Sequence, residues 1–387
     1  MTARVLFYVQ HLKGIGHVVR AERIIDAMVH AGLDVTVAFG GTPVAGFQFT
    51  GADFRALEPI RAADGGFSKL VDAAGREIDD AFKARRVAAL LALYDEVRPD
   101  VVVTEMFPLG RRAMRFELVP LIEHAASDPR RPRLVASVRD ILQRPGSAGK
   151  AASQVQLALR YYDLILVHGD PTFASLEASL PETAVLGDLV RYTGFVGPRL
   201  DGARLAAGEV ADVVVSVGGG AVGAEILAAA IEARAHCRLA DARWLLLTGP
   251  NMSPVTVDRL RHAATSRGDI AIETFRRNLP ETMRQARLSI QMAGYNTVAD
   301  LMAAGCRAVL VPYVEAGETE QATRAARLAA MGRVIVLDSG MLSPVTLAAA
   351  IDAALCLPAP ECTAMPARDG ATESARLVIE MLSRLRR

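Results

Sequence analysis

Three groups of residues in this 387-residue chain have types and spacings suited to chemistry. The first is Ser216-Val217-Gly218-Gly219-Gly220-Ala221, set between a strand-like run and a helix-like one. Glycine lets the backbone approach a ligand closely and take positive φ. The start of the following helix offers unpaired N–H groups and positive dipole, a setting for a diphosphate. Many such turns carry glycine for packing alone, so the run by itself leaves both readings open. It is not the G-x-G-x-x-G dinucleotide fingerprint, no acid closes a following strand as NAD would require, and the Gly-Lys-Ser/Thr of a P-loop is absent.

The second group is Ala293-Gly294-Tyr295-Asn296-Thr297-Val298-Ala299-Asp300, followed by Ala304-Gly305-Cys306, Val311-Pro312-Tyr313 and Glu320-Gln321. Gly294 turns out of a strand, Asn296 and Thr297 are placed to cap the next helix, and Asp300 shares a helix face with Asn296. An acid one turn into such a helix can accept both hydroxyls of a ribose. It can equally be a dipole partner behind a simple cap.

The third group is His11-Leu12-Lys13-Gly14-Ile15-Gly16-His17, the loop after the first strand. A neutral His17 can take the proton of an attacking hydroxyl, or it can cap a helix or touch a phosphate without moving a proton. His11 is the weaker candidate for the same task. Glu105 ends up beside them if it follows a strand at Val101–Thr104. It would then act as a base itself, orient His17, or pair with Arg111, Arg112 or Arg115. Those arginines fit either an anionic acceptor or a solvated helix face.

These residues need a sheet to carry them. Strand patterns fall at Val5–Val9, Asp34–Phe39, Val101–Thr104, Leu134–Ser137 and Leu164–Val167, with helical patterns at Ala21–His30, Ile78–Val97, Arg111–His124 and Ala151–Tyr161. The second half repeats the alternation. Its strands are Val213–Val217, Trp244–Leu247, Ile270–Glu273, Leu288–Gln291, Ala308–Val311 and Val334–Leu337. Its helices are Ala224–Ala235, Pro254–Thr265, Asn296–Ala304, Glu320–Met331 and Pro344–Leu355. Such alternation predicts parallel βαβ units, arranged as two α/β Rossmann-like domains. Tyr192–Asp212, with its several glycines, reads as the connection, and the Pro-rich stretch Leu357–Pro366 precedes a final helix at Ala371–Arg386. The expected domains are 1–195, 196–366 and a terminal helix, 367–387, that packs back on the first.

Bulk properties narrow the class. A net charge of +1 gives no reason to expect nucleic acid as a partner. With 51% hydrophobic and only 5% aromatic residues, the core must be aliphatic, as suits helices on a buried parallel sheet. Cys237, Cys306, Cys356 and Cys362 show no metal-type clustering, no H-E-x-x-H or D-x-D pattern occurs, and a reducing cytoplasm fits better than disulfides. Neither a secretory signal nor a long apolar run is seen, leaving a cytoplasmic protein with peripheral membrane contact at most.

In their order, these motifs resemble the GT-B glycosyltransferases, specifically glycosyltransferase family 28, the group of the peptidoglycan-precursor N-acetylglucosaminyltransferase. The chain is similar also to the UDP-glycosyltransferases of small molecules. The resemblance is specific over Val213–Ala221 and Phe275–Met331. It implies two Rossmann-like domains facing each other across a cleft, the first for the acceptor and the second for the donor. It implies donor phosphates at Gly218, Gly219 and Gly220, a turn formed by Gly294, Asn296 and Thr297, and ribose on Asp300. Sugar hydroxyls would meet Glu320 and Gln321, and the nucleobase would lie on the backbone at Phe275-Arg276. On the acceptor side Gly14, Gly16 and His17 match the family's Gly-His loop, and His11 lies in the same loop. Met292 stands where small-molecule members often carry a phosphate-binding His, and Arg276 or Arg277 would then supply that charge.

The expected activity is inverting, metal-independent transfer from a UDP-sugar co-substrate, with no bound cofactor, to a small-molecule or lipid-linked acceptor. A nucleotide-sugar hydrolase or epimerase on the same fold, and a nucleotide-sugar-binding subunit without turnover, are the alternatives.

Overall fold

The computed structural model describes residues 2–12, 14, 16–43, 47–63, 69–144, 146–200, 205–206, 208–219, 222–314, 319–358 and 369–384. By contact density the chain divides into two compact units, Met1–Val196 with Asp369–Arg387, and Gly197–Arg368.

The first unit carries β1 (Arg4–Val9), α1 (Gly16–His30), β2 (Asp34–Phe39), β3 (Asp53–Ala56), a small antiparallel pair β4 (Arg61–Ala62) and β5 (Leu70–Val71), and α2 (Asp80–Val97). There follow β6 (Val101–Glu105), α3 (Arg115–Ser127), β7 (Arg133–Arg139), α4 (Ala148–Tyr161), β8 (Leu164–His168), the short α5 (Leu176–Ser179) and β9 (Val190–Tyr192). The main sheet runs in the order β3-β2-β1-β6-β7-β8-β9, all parallel. Its central strands are apolar on both faces, and alternate residues feed two cores. Leu6, Tyr8, Val102 and Ala136 join one with α2, α3 and α4. Val5, Phe7, Val9, Val101 and Val103 join the other with Ile24, Ile25 and Met28 of α1.

The second unit carries β10 (Val213–Ser216), α6 (Ala224–Ala233), β11 (Trp244–Leu247), α7 (Pro254–Ala264), β12 (Ile270–Glu273) and α8 (Leu279–Gln285). It continues through β13 (Leu288–Gln291), α9 (Tyr295–Ala304), β14 (Ala308–Leu310), α10 (Glu320–Ala330), β15 (Val334–Val336) and α11 (Pro344–Leu355). Its sheet order is β12-β11-β10-β13-β14-β15, again parallel throughout. The last helix, α12 (Gly370–Arg384), lies on α1 of the first unit, adding Ala375 and Val378 to that core. Val196 and Asp369 form an antiparallel bridge, and the Gly370 N–H donates to the Phe195 carbonyl at 3.0 Å. A Cβ at Gly370 would overlap the Gly194 carbonyl, so only glycine permits that approach.

Several elements differ from the sequence reading. The helix expected at Ala21 begins at Gly16, so His17 is helical rather than in the loop. Arg111 does not open its helix: it sits at φ 54° ahead of a 3-10 turn, Arg112–Met114, that leads into α3. The N-cap of α9 is Gly294 without a side-chain bond, so Asn296 and Thr297 lie inside the first turn rather than capping it. Strands β3 and β9 are short edge strands of mixed residues, none of them buried, and α8 spans only 7 residues, so none carries a clear period.

Candidate functional site

In an open parallel sheet, the loops at the carboxyl ends of strands diverge where strand order reverses, and the crevice between them collects ligands. In the first unit that point lies between β1 and β6, and in the second between β10 and β13. Most candidate residues lie at these two places, while Phe275 and Arg276 follow the edge strand β12.

At the first, His17 occupies the opening turn of α1 and Glu105 ends β6. His17 Nδ1 is 2.8 Å from Glu105 Oε1, and the Arg20 guanidinium, one turn along α1, donates to the same oxygen. Glu105 is 1% exposed, whereas His17 retains 22% and can meet a ligand. An ionised carboxylate only accepts, so Nδ1 carries the proton and Nε2 holds the free lone pair. Burial would raise the Glu105 carboxyl, but His17, Arg20 and Arg111 outweigh it and hold the acid down to about 2. Burial first, then Arg111, draws the His17 imidazole down to about 3 against the pull of Glu105. The ring is neutral at pH 7.

Arg111 Nε lies 3.8 Å from Glu105 Oε2, while Arg112 and Arg115 are exposed. Arg20 was not singled out from sequence. Its signal was the three-residue spacing from His17, which becomes visible once the helix starts at Gly16. His11 donates Nε2–H to the Thr42 carbonyl at 2.7 Å and packs beside Phe39, and a Cβ at Gly41 would overlap its ring. Gly14 is exposed with open space where a Cβ would go, and Gly16 opens α1. Lys13 and Ile15 of this loop lie outside the described residues. Behind the cluster, buried His168 bridges Ser137 Oγ (2.7 Å) and Thr193 Oγ1 (3.0 Å), tying the ends of β7 and β8 together.

At the second reversal, Gly218 is exposed at φ 64°, and Gly219 would offer a Cβ only the Asn251 amide at 3.6 Å. This backbone is open to a ligand; Gly220 lies outside the described residues. Gly223 serves packing instead: at φ 94° it precedes α6, and a Cβ there would press Val217 at 2.8 Å. Across the switch point, Asn296, Thr297 and Asp300 are half-buried on the first turns of α9.

Glu320 and Gln321 of α10 are tied to this same loop. Gln321 Oε1 accepts from the Ala293 N–H (3.0 Å) and the Tyr313 N–H (3.2 Å), joining the loops after β13 and β14. Glu320 accepts from Arg324 at 2.7 Å, and fully buried Arg324 donates to the Ala293 carbonyl at 2.8 Å. Sequence reading missed Arg324, whose clue was its four-residue spacing from Glu320. Met292 is buried in the apolar core of this unit. Phe275 is 49% exposed, and Arg276 is engaged with the Glu273 carboxylate and the Glu209 carbonyl.

Among the described residues, no three His, Cys, Asp or Glu side chains gather as a metal site. No helix there is long and apolar enough to cross a membrane. Cys237, Cys306 and Cys356 are free thiols, and Cys362 lies outside the described residues.

Residues 214–380 match the model of the glycosyltransferase family 28 C-terminal domain. The chain is 30% identical over 175 residues to the UDP-N-acetylglucosamine--N-acetylmuramyl-(pentapeptide) pyrophosphoryl-undecaprenol N-acetylglucosamine transferase of Methylobacterium radiotolerans, covering 43% of this chain. The match spans 47% of that relative, under half its length. In fold, the chain resembles the crystal structure of Acinetobacter baumannii MurG at 14% identity and a TM-score of 0.62, covering 98% of this chain and 99% of the other. It resembles the calicheamicin glycosyltransferase CalG4 at 16% identity and a TM-score of 0.60, over 98% and 94%.

Proposed function

We propose, for a chain that has the GT-B fold and a glycosyltransferase family 28 C-terminal domain, that it transfers a sugar from a UDP-type donor to an acceptor nucleophile with inversion. The observation that carries this reading is the His17–Glu105 pair at the first switch point. Glu105 fixes the tautomer and aims Nε2 outward; Nε2 takes the proton of the acceptor hydroxyl as that oxygen attacks the anomeric carbon, whose bond to the diphosphate breaks. Charge on the departing diphosphate falls to the Gly218–Gly219 backbone and the start of α6, with no metal required.

Around the donor, Asp300 takes the ribose hydroxyls, Asn296 and Thr297 frame the turn at Gly294, and Phe275-Arg276 borders the base. Gln321 and Arg324 keep that turn in place through Ala293, while Glu320 presents its carboxylate toward the sugar. Gly14, Gly16 and His11 line the acceptor side. The named relative adds N-acetylglucosamine to a lipid-linked precursor, which supports a lipid-linked or otherwise amphipathic acceptor and a cytoplasmic enzyme that touches the inner membrane face.

Thermal-shift titration with a panel of nucleotide sugars, followed by a transfer assay with the preferred one, tests the reading. A uridine nucleotide is expected to stabilise the chain, with affinity falling about tenfold in Asp300→Ala, the worth of one ribose hydrogen bond to an acid. Nucleotide release should need an acceptor and survive a metal chelator. Release without acceptor would make the chain a hydrolase, and indifference to every nucleotide sugar would overturn the proposal.

A further inference from the structure

Charge around Glu105 does not balance. Arg20 and Arg111 face this one carboxylate with side chains only 2% and 7% exposed. At the end of β7, Arg139 and Asp140 add one charge of each sign, and His168 is held neutral by burial between Ser137 and Thr193. On the other side Glu117 is committed to Arg86 and Tyr8. Counted over these described groups, the positive charges exceed the negative by one.

Geometry identifies which guanidinium carries it. Arg20 and His17 both engage Oε1 of Glu105. Arg111 stands 3.8 Å from Oε2, too far for a hydrogen bond, and its Nε and Nη2 atoms are buried with no acceptor among the described residues. Its backbone is held at φ 54°, a left-handed conformation uncommon outside glycine. Two idle donors on a buried cation cost free energy that folding alone has no reason to spend. Side chains left in this condition beside a candidate base mark a ligand position.

We propose that Arg111 binds an oxyanion carried by the acceptor, a phosphate ester or a carboxylate, held in the first unit beside His17. Its role in transfer rests on the reading of His17 as base; the anion site itself rests on the unmatched guanidinium. An oxyanion there accepts from Nε and Nη2 and cancels the surplus charge. It also changes the base. Burial and Arg111 hold His17 at about 3, a weak acceptor of protons. Neutralising Arg111 removes the second of those causes, so an anionic acceptor strengthens the base it is about to use. A neutral acceptor of the same shape would leave it weak.

The test uses the full chain with 15N-labelled histidine at pH 6.5, following the His17 ring signal while inorganic phosphate, sodium acetate or sodium chloride is added at matched ionic strength. His17→Gln identifies the signal. Phosphate or acetate is expected to shift it saturably as the Arg111 charge beside the ring is neutralised, and the tighter of the two names the acceptor's acid group. Chloride should not shift it. Arg111→Gln should weaken binding at least about tenfold, as losing charged hydrogen bonds does, while Arg111→Lys keeps a measurable part. An unmoved His17 signal with both anions, or an equal shift in Arg111→Gln, overturns the proposal. Circular dichroism of both variants separates misfolding from lost binding. If the anion binds and no nucleotide sugar does, the transferase reading fails and this site stands. The reverse result leaves a transferase of a neutral acceptor.

Discussion

The first unit buries two glutamates against arginines, and they are used in opposite ways. Glu117 and Arg86 are both fully buried and complete each other. Arg86 Nε and Nη2 donate to the two carboxylate oxygens at 2.8 and 2.6 Å, Tyr8 donates to the same acid, and the guanidinium also reaches the carbonyls of Gly40 and Glu58. A Cβ at Gly40 would overlap Gln10 and Arg86. Glu105 has the same partner type but sits at the end of a strand, shares one oxygen between His17 and Arg20, and leaves Oε2 without a hydrogen bond. A closed bidentate pair joins elements together. The idle oxygen of Glu105, the part-exposed imidazole and the unmatched Arg111 are the groups that the proposed anion site would use.

The largest expected effect on this contrast is kinetic. His17→Ala should lower kcat by about 10²- to 10⁴-fold, the usual span for losing a general base, while its urea midpoint stays near the parent's. A loss of stability as large as that of an Arg86 variant would erase the distinction. Next, Arg86→Met should cost about 3–5 kcal/mol in urea unfolding because it strands a buried carboxylate. The paired change Arg86→Met/Glu117→Leu should recover most of that, with transfer per folded molecule unaltered throughout.

A further effect is on acid stability. His17 is held at about 3 against an ordinary 6.5, so the unfolded chain takes that proton first, and stability falls as pH drops from about 6.5 toward 3. Glu105, held down at about 2 against an ordinary 4.5, adds a further loss between those values. His17→Gln should remove the upper part of this acid loss. A curve unchanged by that substitution would show that His17 is not held neutral.

Much of the framework was legible because period and punctuation agreed. Trp244–Leu247, Ile270–Glu273, Leu288–Gln291 and Pro344–Leu355 fall where the pattern placed them, three short strands and one helix. The start of α1 was not legible: Gly16 and His17 carry no helix signal, and the first turn is fixed by Val18 and Arg20 reaching buried positions. That error concealed Arg20. The commitment of Gln321 and Arg324 to Ala293 was hidden for a different reason, since a hydrogen bond between loops of neighbouring strands leaves no period in either segment. Nothing in the residue type tells Gly218, in an open loop, from Gly223, in a tight helix–strand contact; their surroundings do.

The clasp at Val196 and Asp369 has a further consequence, in time. Everything the first unit needs except α12 is synthesised before residue 197, and α12 only after residues 197–368. At ordinary elongation rates of 5–20 residues per second, that interval lasts roughly ten to thirty seconds. Throughout it, the apolar face of α1 that Ala375 and Val378 will cover waits uncovered on the nascent chain. The second unit, begun later, has all its strands and helices out of the ribosome first. A transcript cut short just before α12 would therefore yield a complete second half joined to an unfinished first one.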